Sequence, residues 1–376
     1  MSQGSPGVPG SDRDGQLDDR ELGHTAIPGA GAPPQSPRPP RPRHGGRRRG
    51  RSDPNAVVPE AEFTSYYGRP VVKPSPWTRD IPLYLFSGGL AGSSALLGEG
   101  GAWTGRPVMR RAGRLGAIAG LVGSFYFLVN DLGRPSRFYN MLRIAKPTSP
   151  MSMGTWFLTA FGLPSGITAA SEVVRLLPDR VTDPIPPMLL QALHACAKPA
   201  GLVAATAGAL VSTYTAVLLS DTATPAWSGA RRELPVVFAG SAASSAAGLA
   251  LLAVPASEVR PARLLAVAGA LVELGAQVPM RRSMGIAAQT LDEGTAGRWH
   301  RASQILMPTG AVLAAVSRRS RVVSGLAGLA LLGGSLCTRF AIFEAGQASA
   351  KDPRYTVVPQ RERAQARASA NGAASA

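Results

Sequence analysis

The chain has 376 residues, of which 45% are hydrophobic, 17% charged and 6% aromatic, and its formal net charge is +17. Its two cysteines are too few for an iron–sulfur cluster, which usually needs four thiolates. No segment interleaves aromatic with basic residues, so the positive charge does not indicate a stacking platform for single-stranded nucleic acid.

Residues 1–76 are rich in Pro, Gly, Arg and Asp and contain almost no apolar clusters. Such a segment cannot bury enough apolar surface to fold, so we predict a disordered N-terminal tail. We interpret its basic run RPRHGGRRRG (Arg41–Gly50) as an electrostatic anchor for lipid headgroups, with RNA binding as the alternative. The first residues, MSQGSPGVPG, lack the basic and apolar regions of a cleavable signal peptide.

Residues 77–346 are dominated by Ala, Leu, Val and Gly, in runs long enough to cross a bilayer, which needs about 20 residues each. We predict an all-α integral membrane protein with a bundle of about eight transmembrane helices, followed by an extramembrane tail at 347–376. The seventh run has only 14 residues and also fits a re-entrant segment. The predicted spans are Ile81–Gly101, Gly113–Asn130, Met153–Leu177, Met188–Ser220, Leu234–Val254, Ala262–Met280, Gln304–Ser317 and Val322–Phe343.

Small residues recur along these spans, as in SGGLAGSS, AGSAASSAAG and SGLAGLALLGGS. Small side chains let helices approach closely in lipid, where no hydrophobic effect drives helices together. We therefore expect one tightly packed bundle. The alternative is that the small residues leave room for a ligand between the helices.

The connection between spans two and three, Val129–Trp156, is unusually polar and basic for its position between two apolar runs. Its segment RFYNMLRI has apolar and basic residues at helical spacing, which predicts a short interfacial helix. PTSP then interrupts the chain, and Ser152 is a candidate N-cap for the third span.

Several ionisable or reactive residues lie inside or beside the spans. Glu273 is in the middle of span six, where a charge is costly and usually faces the bundle interior. It fits either a structural pair with Arg339 of span eight or a proton path together with Glu99 and Glu172, which lie nearer span ends. His194, at the start of span four, fits a satisfied interfacial histidine or a proton carrier, since imidazole titrates near neutral pH.

The cysteines and histidines also bear on cofactors. We expect Cys196 and Cys337 to be buried apolar fillers. The four histidines do not form pairs inside the spans that could serve as axial haem ligands. We therefore expect the chain to carry no metal of its own.

Four segments together resemble the polysulfide reductase-type (NrfD-like) integral membrane subunits. They are GGLAGSSALL, DLGRPSRFYNMLRIAKPTSPMSMGTW, YTAVLLSDTATPAW and CTRFAIFEAGQASAKDPRYTVVPQR, and the resemblance extends from about Phe63 to Arg361. It implies a quinone/quinol-binding membrane anchor of a respiratory oxidoreductase complex in the plasma membrane of a prokaryote. The implied partners are a ferredoxin-like 4Fe-4S subunit and a molybdopterin or tungstopterin catalytic subunit. Menaquinone or ubiquinone would bind as substrate, and the chain itself would hold neither haem nor iron–sulfur cluster.

The resemblance also implies roles for individual residues. Tyr214 matches the quinone-contacting tyrosine of the family, and Tyr84 lies near the position of a histidine in a characterised member. For both, the alternative is a buried tyrosine whose hydroxyl bonds a carbonyl. Asp131 matches an acidic residue close to the quinone, where it would exchange protons; alternatively it pairs with a neighbouring arginine. We expect that arginine to be Arg134 or Arg137, and we assign Arg134, Arg137 and Arg143 to partner docking.

Two other functions fit a protein of this composition. A small-solute or ion transporter also has buried glutamates and glycine-interrupted helices, but transporters often show related repeats in their two halves. The sequence shows no convincing repeat between spans one to four and spans five to eight. The remaining alternative is a membrane scaffold without a role in electron transfer.

Overall fold

The computed structural model describes residues 70–317 and 320–374. The tail predicted to be disordered lies, up to residue 69, outside the described residues, and so does the basic run 41–50. In chain order the helices are α1 Asp80–Trp103, α2 Pro107–Asn130, α3 Pro150–Val174, α4 Asp179–Thr182, α5 Pro187–Ser220, α6 Pro225–Gly229, α7 Leu234–Ala253, α8 Arg260–Ser283, α9 Gly294–Val316, α10 Arg321–Lys351 and α11 Arg354–Ala374. Two 3₁₀ segments, Pro135–Leu142 and Gly285–Leu291, lie between them.

Helices suit this sequence because a helix satisfies its own backbone hydrogen bonds, which lipid cannot do. Within the described residues, seven helices are long and apolar enough to cross a membrane: α1, α2, α3, α5, α7, α8 and α10. The predicted seventh span, Gln304–Ser317, is part of α9, which begins ten residues earlier than predicted and carries His300 and Arg301 near its start. The chain is thus an α-helical, multi-pass membrane protein, and its α9 is a full helix of 23 residues.

Proline and serine define several helix starts. Proline occupies the first or second position of α2, α3, α5, α7 and α8, where its missing N–H costs no hydrogen bond. The prediction for the start of α3 was wrong, because Ser149 rather than Ser152 is its N-cap. Ser152 lies in the first turn, and its hydroxyl donates to the carbonyl of Ile144 at 2.9 Å. The predicted interfacial helix is present as the 3₁₀ segment Pro135–Leu142.

Helices α1, α2, α3 and α5 form a first four-helix bundle in which sequential neighbours are antiparallel. In it α1 packs on α2 and α5, and α3 packs on α5 and α2. We call the end at which α1 begins the proximal end and the end at which it finishes the distal end. Asp80 and Asn130 mark the proximal end, where their side chains are joined by a 2.6 Å hydrogen bond. Trp103 and Pro107 mark the distal end.

Helices α7, α8, α9 and α10 form a second four-helix bundle with the same order of neighbours. In it α7 packs on α8 and α10, and α9 packs on α10 and α8. The two bundles meet mainly along α1 and α7. The arrangement of helices therefore repeats, although the sequence shows no convincing repeat. The two are compatible because a bundle requires the same order of small and apolar surfaces rather than the same residues.

Glycines allow close helix contacts in each bundle. A Cβ atom added to Gly92 of α1 would lie 2.2 Å from the carbonyl oxygen of Gly208 in α5, far inside van der Waals contact. In the second bundle a Cβ on Gly248 of α7 would lie 2.7 Å from the carbonyl oxygen of Gly328 in α10. Backbones can approach this closely only where side chains are absent, which confirms close packing through small residues.

Candidate quinone site and membrane-embedded charges

Two tyrosines are buried together near the proximal end of the first bundle. Tyr84 of α1 and Tyr214 of α5 are 2% and 7% exposed, and their hydroxyl groups are joined by a short hydrogen bond. The ring of Phe157 in α3 packs edge-on against Tyr214 with the ring centres 5.9 Å apart. Gly154, one turn before Phe157, leaves space for the Tyr214 ring, because a Cβ there would lie 2.2 Å from its Cε2.

The tyrosine pair retains one unused hydrogen-bond donor. Each phenol has a single O–H group, and the mutual bond between Tyr84 and Tyr214 uses only one of the two. Among the hydrogen bonds of residues 70–317 and 320–374, the mutual bond is the only one in which either hydroxyl takes part. The expected alternative, a tyrosine bonded to a carbonyl, is thus not what the structure contains. A ligand with an acceptor oxygen would satisfy the second O–H.

An apolar groove lies at the surface of the first bundle between α2, α3 and the 3₁₀ segment Pro135–Leu142, and neither tyrosine is among the residues that line it. Its volume is about 300 Å³, at the lower end of the range of ligand pockets. Leu128 of α2 and Leu158 of α3 line it and belong to the same packed cluster as both tyrosines. Phe125 and Phe138 form an edge-to-face pair in its wall, with ring centres 5.5 Å apart. The groove therefore offers an apolar slot at the same end of the first bundle as the tyrosine pair.

Asp131 follows α2 directly at the same proximal end. Its Oδ1 accepts hydrogen bonds from the backbone N–H and the hydroxyl of Thr78, at 2.8 and 2.7 Å. The alternative for Asp131, a pairing with Arg134 or Arg137, is not formed, since none of the ion pairs in the described part of the chain includes Asp131. Thr78 precedes α1, so this contact instead fastens the end of α2 to the start of α1.

The three arginines assigned to docking lie around the 3₁₀ segment at the proximal end. Arg134 is its N-cap, Arg137 is inside it and Arg143 is its C-cap, and all three are exposed. Tyr139 of the same segment is also exposed. This segment therefore presents a basic and aromatic surface beside the mouth of the groove.

Glu99 and Glu172 belong to a buried ionic cluster at the distal end of the first bundle. Glu172 of α3 is fully buried and accepts from Arg110 Nε at 2.7 Å and Arg114 Nη1 at 3.0 Å. Arg114 also pairs with Glu99 of α1 at 3.5 Å. A third arginine, Arg111, reaches Glu172 at 4.0 Å. Since three guanidinium groups surround two carboxylates, both acids are held as ion-pair partners.

His194 lies close to this cluster on α5. Its Nδ1 is hydrogen-bonded to the hydroxyl of Ser171 at 2.9 Å, and Ser171 precedes Glu172 on α3. His194 is half-buried, and Cys196, two residues further on, is exposed. The expectation of a buried Cys196 was wrong, because it faces outward from the bundle; Cys337 is buried as expected.

Glu273 and Arg339 lie in the interior of the second bundle, and both are completely buried. Glu273 Oε1 accepts from the hydroxyl of Thr338, whereas none of the described residues donates to its Oε2. Arg339 donates to the carbonyl of Phe238 at 3.0 Å and stacks on the Phe238 ring at 3.7 Å. Among the ion pairs of the described residues, none joins Glu273 directly to Arg339, so the pair that was one of two alternatives for Glu273 is not a contact ion pair.

Phe238 and Arg339 occupy the place in the second bundle that the tyrosines occupy in the first. Phe238 is the fifth residue of α7, as Tyr84 is the fifth residue of α1. Each contacts the last long helix of its own bundle, α10 for Phe238 and α5 for Tyr84. The guanidinium of Arg339 fills this position in the second bundle, so the buried tyrosine pair is a feature of the first bundle alone.

The structure thus divides the residues singled out in the sequence into three places. It brings Tyr84, Tyr214 and Asp131 to the proximal end of the first bundle, Glu99, Glu172 and His194 to its distal end, and Glu273 to the second bundle. Sequence reasoning missed Phe157, the groove and the arginine partners of Glu172. Only the spacing of Arg110 and Arg114, four residues apart and hence on one helix face, carried a signal for the last of these.

Comparison with models of protein families finds a match for this chain. The family model described as Polysulphide reductase, NrfD, matches residues 72–282, which is more than half of the chain. The match includes the tyrosine pair, Asp131 and the ionic cluster, and it ends at the close of α8. Among curated proteins, none matches the chain.

Proposed function

The chain belongs to the NrfD (polysulphide reductase) family of oxidoreductase membrane subunits, and from this premise we propose that it binds quinone or quinol. In this proposal it exchanges electrons between membrane quinone and a partner iron–sulfur subunit. The quinone, menaquinone or ubiquinone, supplies the two-electron carrier. The chain supplies the slot, the hydrogen bonds and a route for protons.

The unused O–H of the tyrosine pair is the observation that carries the proposal. A quinone carbonyl needs a hydrogen-bond donor, and a quinol hydroxyl needs an acceptor. Tyr84 and Tyr214 together offer both, because a phenol oxygen donates one hydrogen bond and accepts others. Burial of the pair excludes water, which strengthens a hydrogen bond to a bound ring.

The groove between α2 and α3 supports the proposal as the route for the quinone. Its apolar lining matches an isoprenoid-bearing ring, and its walls at Leu128 and Leu158 pack in the same cluster as the tyrosines. We assign the ring to the part of the groove at these two leucines. The tail would then follow Leu121 and Gly162 outward along α2 and α3.

We assign proton exchange at this site to Asp131. It lies at the same end of α2 as the groove residue Leu128, three residues away, and it is half-buried. Its hydrogen bonds from Thr78 fix the carboxylate in place. We assign docking of the ferredoxin-like subunit to the adjacent basic segment with Arg134, Arg137 and Arg143. A molybdopterin or tungstopterin subunit would complete the complex in the plasma membrane of a prokaryote.

The first experiment is affinity purification of the tagged chain from native membranes in mild detergent, with iron, molybdenum and tungsten measured in the eluate. The proposal expects a ferredoxin-like chain together with iron and either molybdenum or tungsten. A well-folded chain that purifies without a partner and without metal would contradict it.

The second experiment measures quinone reduction or quinol oxidation by the purified complex carrying Tyr214→Phe or Asp131→Asn. Tyr214→Phe keeps the ring contact with Phe157 but removes a hydroxyl, and we expect kcat/KM to fall about tenfold, the value of one hydrogen bond. Leu158→Trp should raise KM by filling the groove. Leu163→Trp on the same helix, at a position 74% exposed, is the matched control. Unchanged kinetics in Tyr214→Phe and Asp131→Asn, with intact assembly, would refute the site.

A transporter for a small solute or ion is the second candidate, because Glu273 in the middle of the second bundle has an oxygen without a described partner. The repeated arrangement of the two bundles is also found among transporters. Vesicles containing the purified chain alone distinguish the two functions. Uptake that depends on Glu273, in the absence of any redox partner, would favour the transporter.

A further inference from the structure

A second cavity lies at the distal end of the second bundle, between α8, α9 and the connection that precedes α8. Its volume is about 780 Å³. Arg260 and Arg263 line its mouth, Leu264 and Leu271 line it further along α8, and Ala315 of α9 forms part of the opposite wall. The cavity is far from the tyrosine pair, which lies at the proximal end of the other bundle.

The mouth of this cavity carries positive charge. Arg260 is exposed, and Arg263 donates from Nη2 to the carbonyl of Ser317 at 3.1 Å, which holds its guanidinium between α8 and α9. The nearest acid in sequence is Glu258. Its Oε2 accepts from the backbone N–H groups of Val108 and Met109, at 2.9 and 3.1 Å, and thereby caps α2.

The remainder of the cavity is apolar and runs along the membrane-spanning part of α8. Leu264 and Leu271 are 64% and 67% exposed and lie four and eleven residues after Arg260, which places all three on one face of the helix. The face therefore begins with a guanidinium at the end of the span and continues into exposed leucines. Such a surface matches a ligand with an anionic head and an apolar chain.

We propose that this cavity binds an anionic phospholipid, with its phosphate at Arg260 and Arg263 and an acyl chain along Leu264 and Leu271. Charge complementarity favours an anionic over a zwitterionic headgroup, since arginine near a membrane surface attracts anionic lipid. A soluble polyanion would leave the leucines without an apolar partner. The site is independent of the proposed quinone function.

The test is native mass spectrometry of the purified chain titrated with phosphatidylglycerol or with phosphatidylcholine of identical acyl chains. We expect tighter binding of phosphatidylglycerol to the wild type. Two lost arginine contacts should weaken that binding about thirtyfold in Arg260→Gln/Arg263→Gln. The matched control is Arg231→Gln/Arg232→Gln, which removes the same charge from two exposed arginines between α6 and α7. If the first double variant misfolds, Arg260→Gln alone, which changes an exposed residue, should still weaken binding of phosphatidylglycerol and so replaces it in the test.

A second pair of variants tests the acyl groove without a change of charge. Ala268→Trp should fill the cavity and weaken binding of phosphatidylglycerol, whereas Ala209→Trp on an exposed face of α5 should not. Equal binding of the two lipids to the wild type would overturn the proposal. So would equal loss in the arginine variant and its control, or inorganic phosphate binding as tightly as the lipid.

Discussion

The buried ionic cluster at the distal end of the first bundle allows a sharp prediction for Glu172→Gln. The glutamine keeps the size of the side chain but removes a charge that contacts Arg110 at 2.7 Å and Arg114 at 3.0 Å. Glu99, at 3.5 Å from Arg114, would remain as the only carboxylate among three arginines. Breaking a buried ion pair on one side costs about 3–5 kcal/mol, because the remaining charge is left uncompensated.

The partial exposure of the arginines places the destabilisation by Glu172→Gln at the lower end of this range of about 3–5 kcal/mol. Glu172 is fully buried, but the side chain of Arg110 is 23% exposed and that of Arg111 is 37% exposed, so water screens part of the remaining charge. We therefore expect a loss of about 3 kcal/mol in the free energy of unfolding. Glu99→Gln should cost clearly less, since Glu99 makes one longer contact.

The assay is thermal unfolding in detergent, followed by size-exclusion fluorescence, for the wild type and both variants. We expect the midpoint to fall by about 5–10 °C in Glu172→Gln. Quinone turnover per folded complex, measured below the midpoint, should stay near the wild-type value, because the cluster is far from the tyrosine pair. An unchanged midpoint combined with lost turnover would refute this reasoning and assign Glu172 to a proton path instead.

Two further predictions concern helix packing and the second bundle. Gly92→Ala should destabilise the chain by about 1–3 kcal/mol, because its Cβ would overlap the Gly208 carbonyl. The control Gly100→Ala should leave the stability unchanged, because no atom lies within 4 Å of the added Cβ; melting curves in detergent compare the two variants. Glu273→Gln and Arg339→Met should each destabilise the chain more than the double variant does, because each single variant leaves one buried charge without its opposite. The two substitutions are therefore expected to be coupled, and additive losses of stability in a double-mutant cycle would contradict this.

The sequence predicts the membrane helices well because the length of each apolar run determines whether it can cross a membrane. Helices α2 and α7 end within one residue of their predicted limits. The start of α9 was missed because charged and polar residues, among them Arg298, His300 and Arg301, precede the apolar run although they are part of the helix. Polar residues near a membrane surface are compatible with a helix, so hydropathy alone does not locate such a boundary.

The candidate site was only partly predictable, because pairings between distant helices leave little trace in one sequence. Tyr84 and Tyr214 were singled out separately, but their contact depends on how α1 crosses α5 at Gly92 and Gly208. In the sequence, the groove residue Leu158 cannot be told from a lipid-facing leucine, because both are apolar residues within a span. The sequence thus indicates the two tyrosines, and the structure adds their contact with each other and the groove.

The two bundles together explain why the proposal assigns a single quinone site to the chain. They share one order of helices, so the proximal ends of α1 with α5 and of α7 with α10 offer similar positions. In the first bundle that position holds two hydroxyl groups with one spare donor, and an apolar groove lies at the same end of the bundle. In the second it holds Arg339 stacked on Phe238, a buried cation that occupies the space and has no O–H to exchange with a quinol. The repeated scaffold thus provides two equivalent places, and the side chains leave only the first suited to a neutral ring.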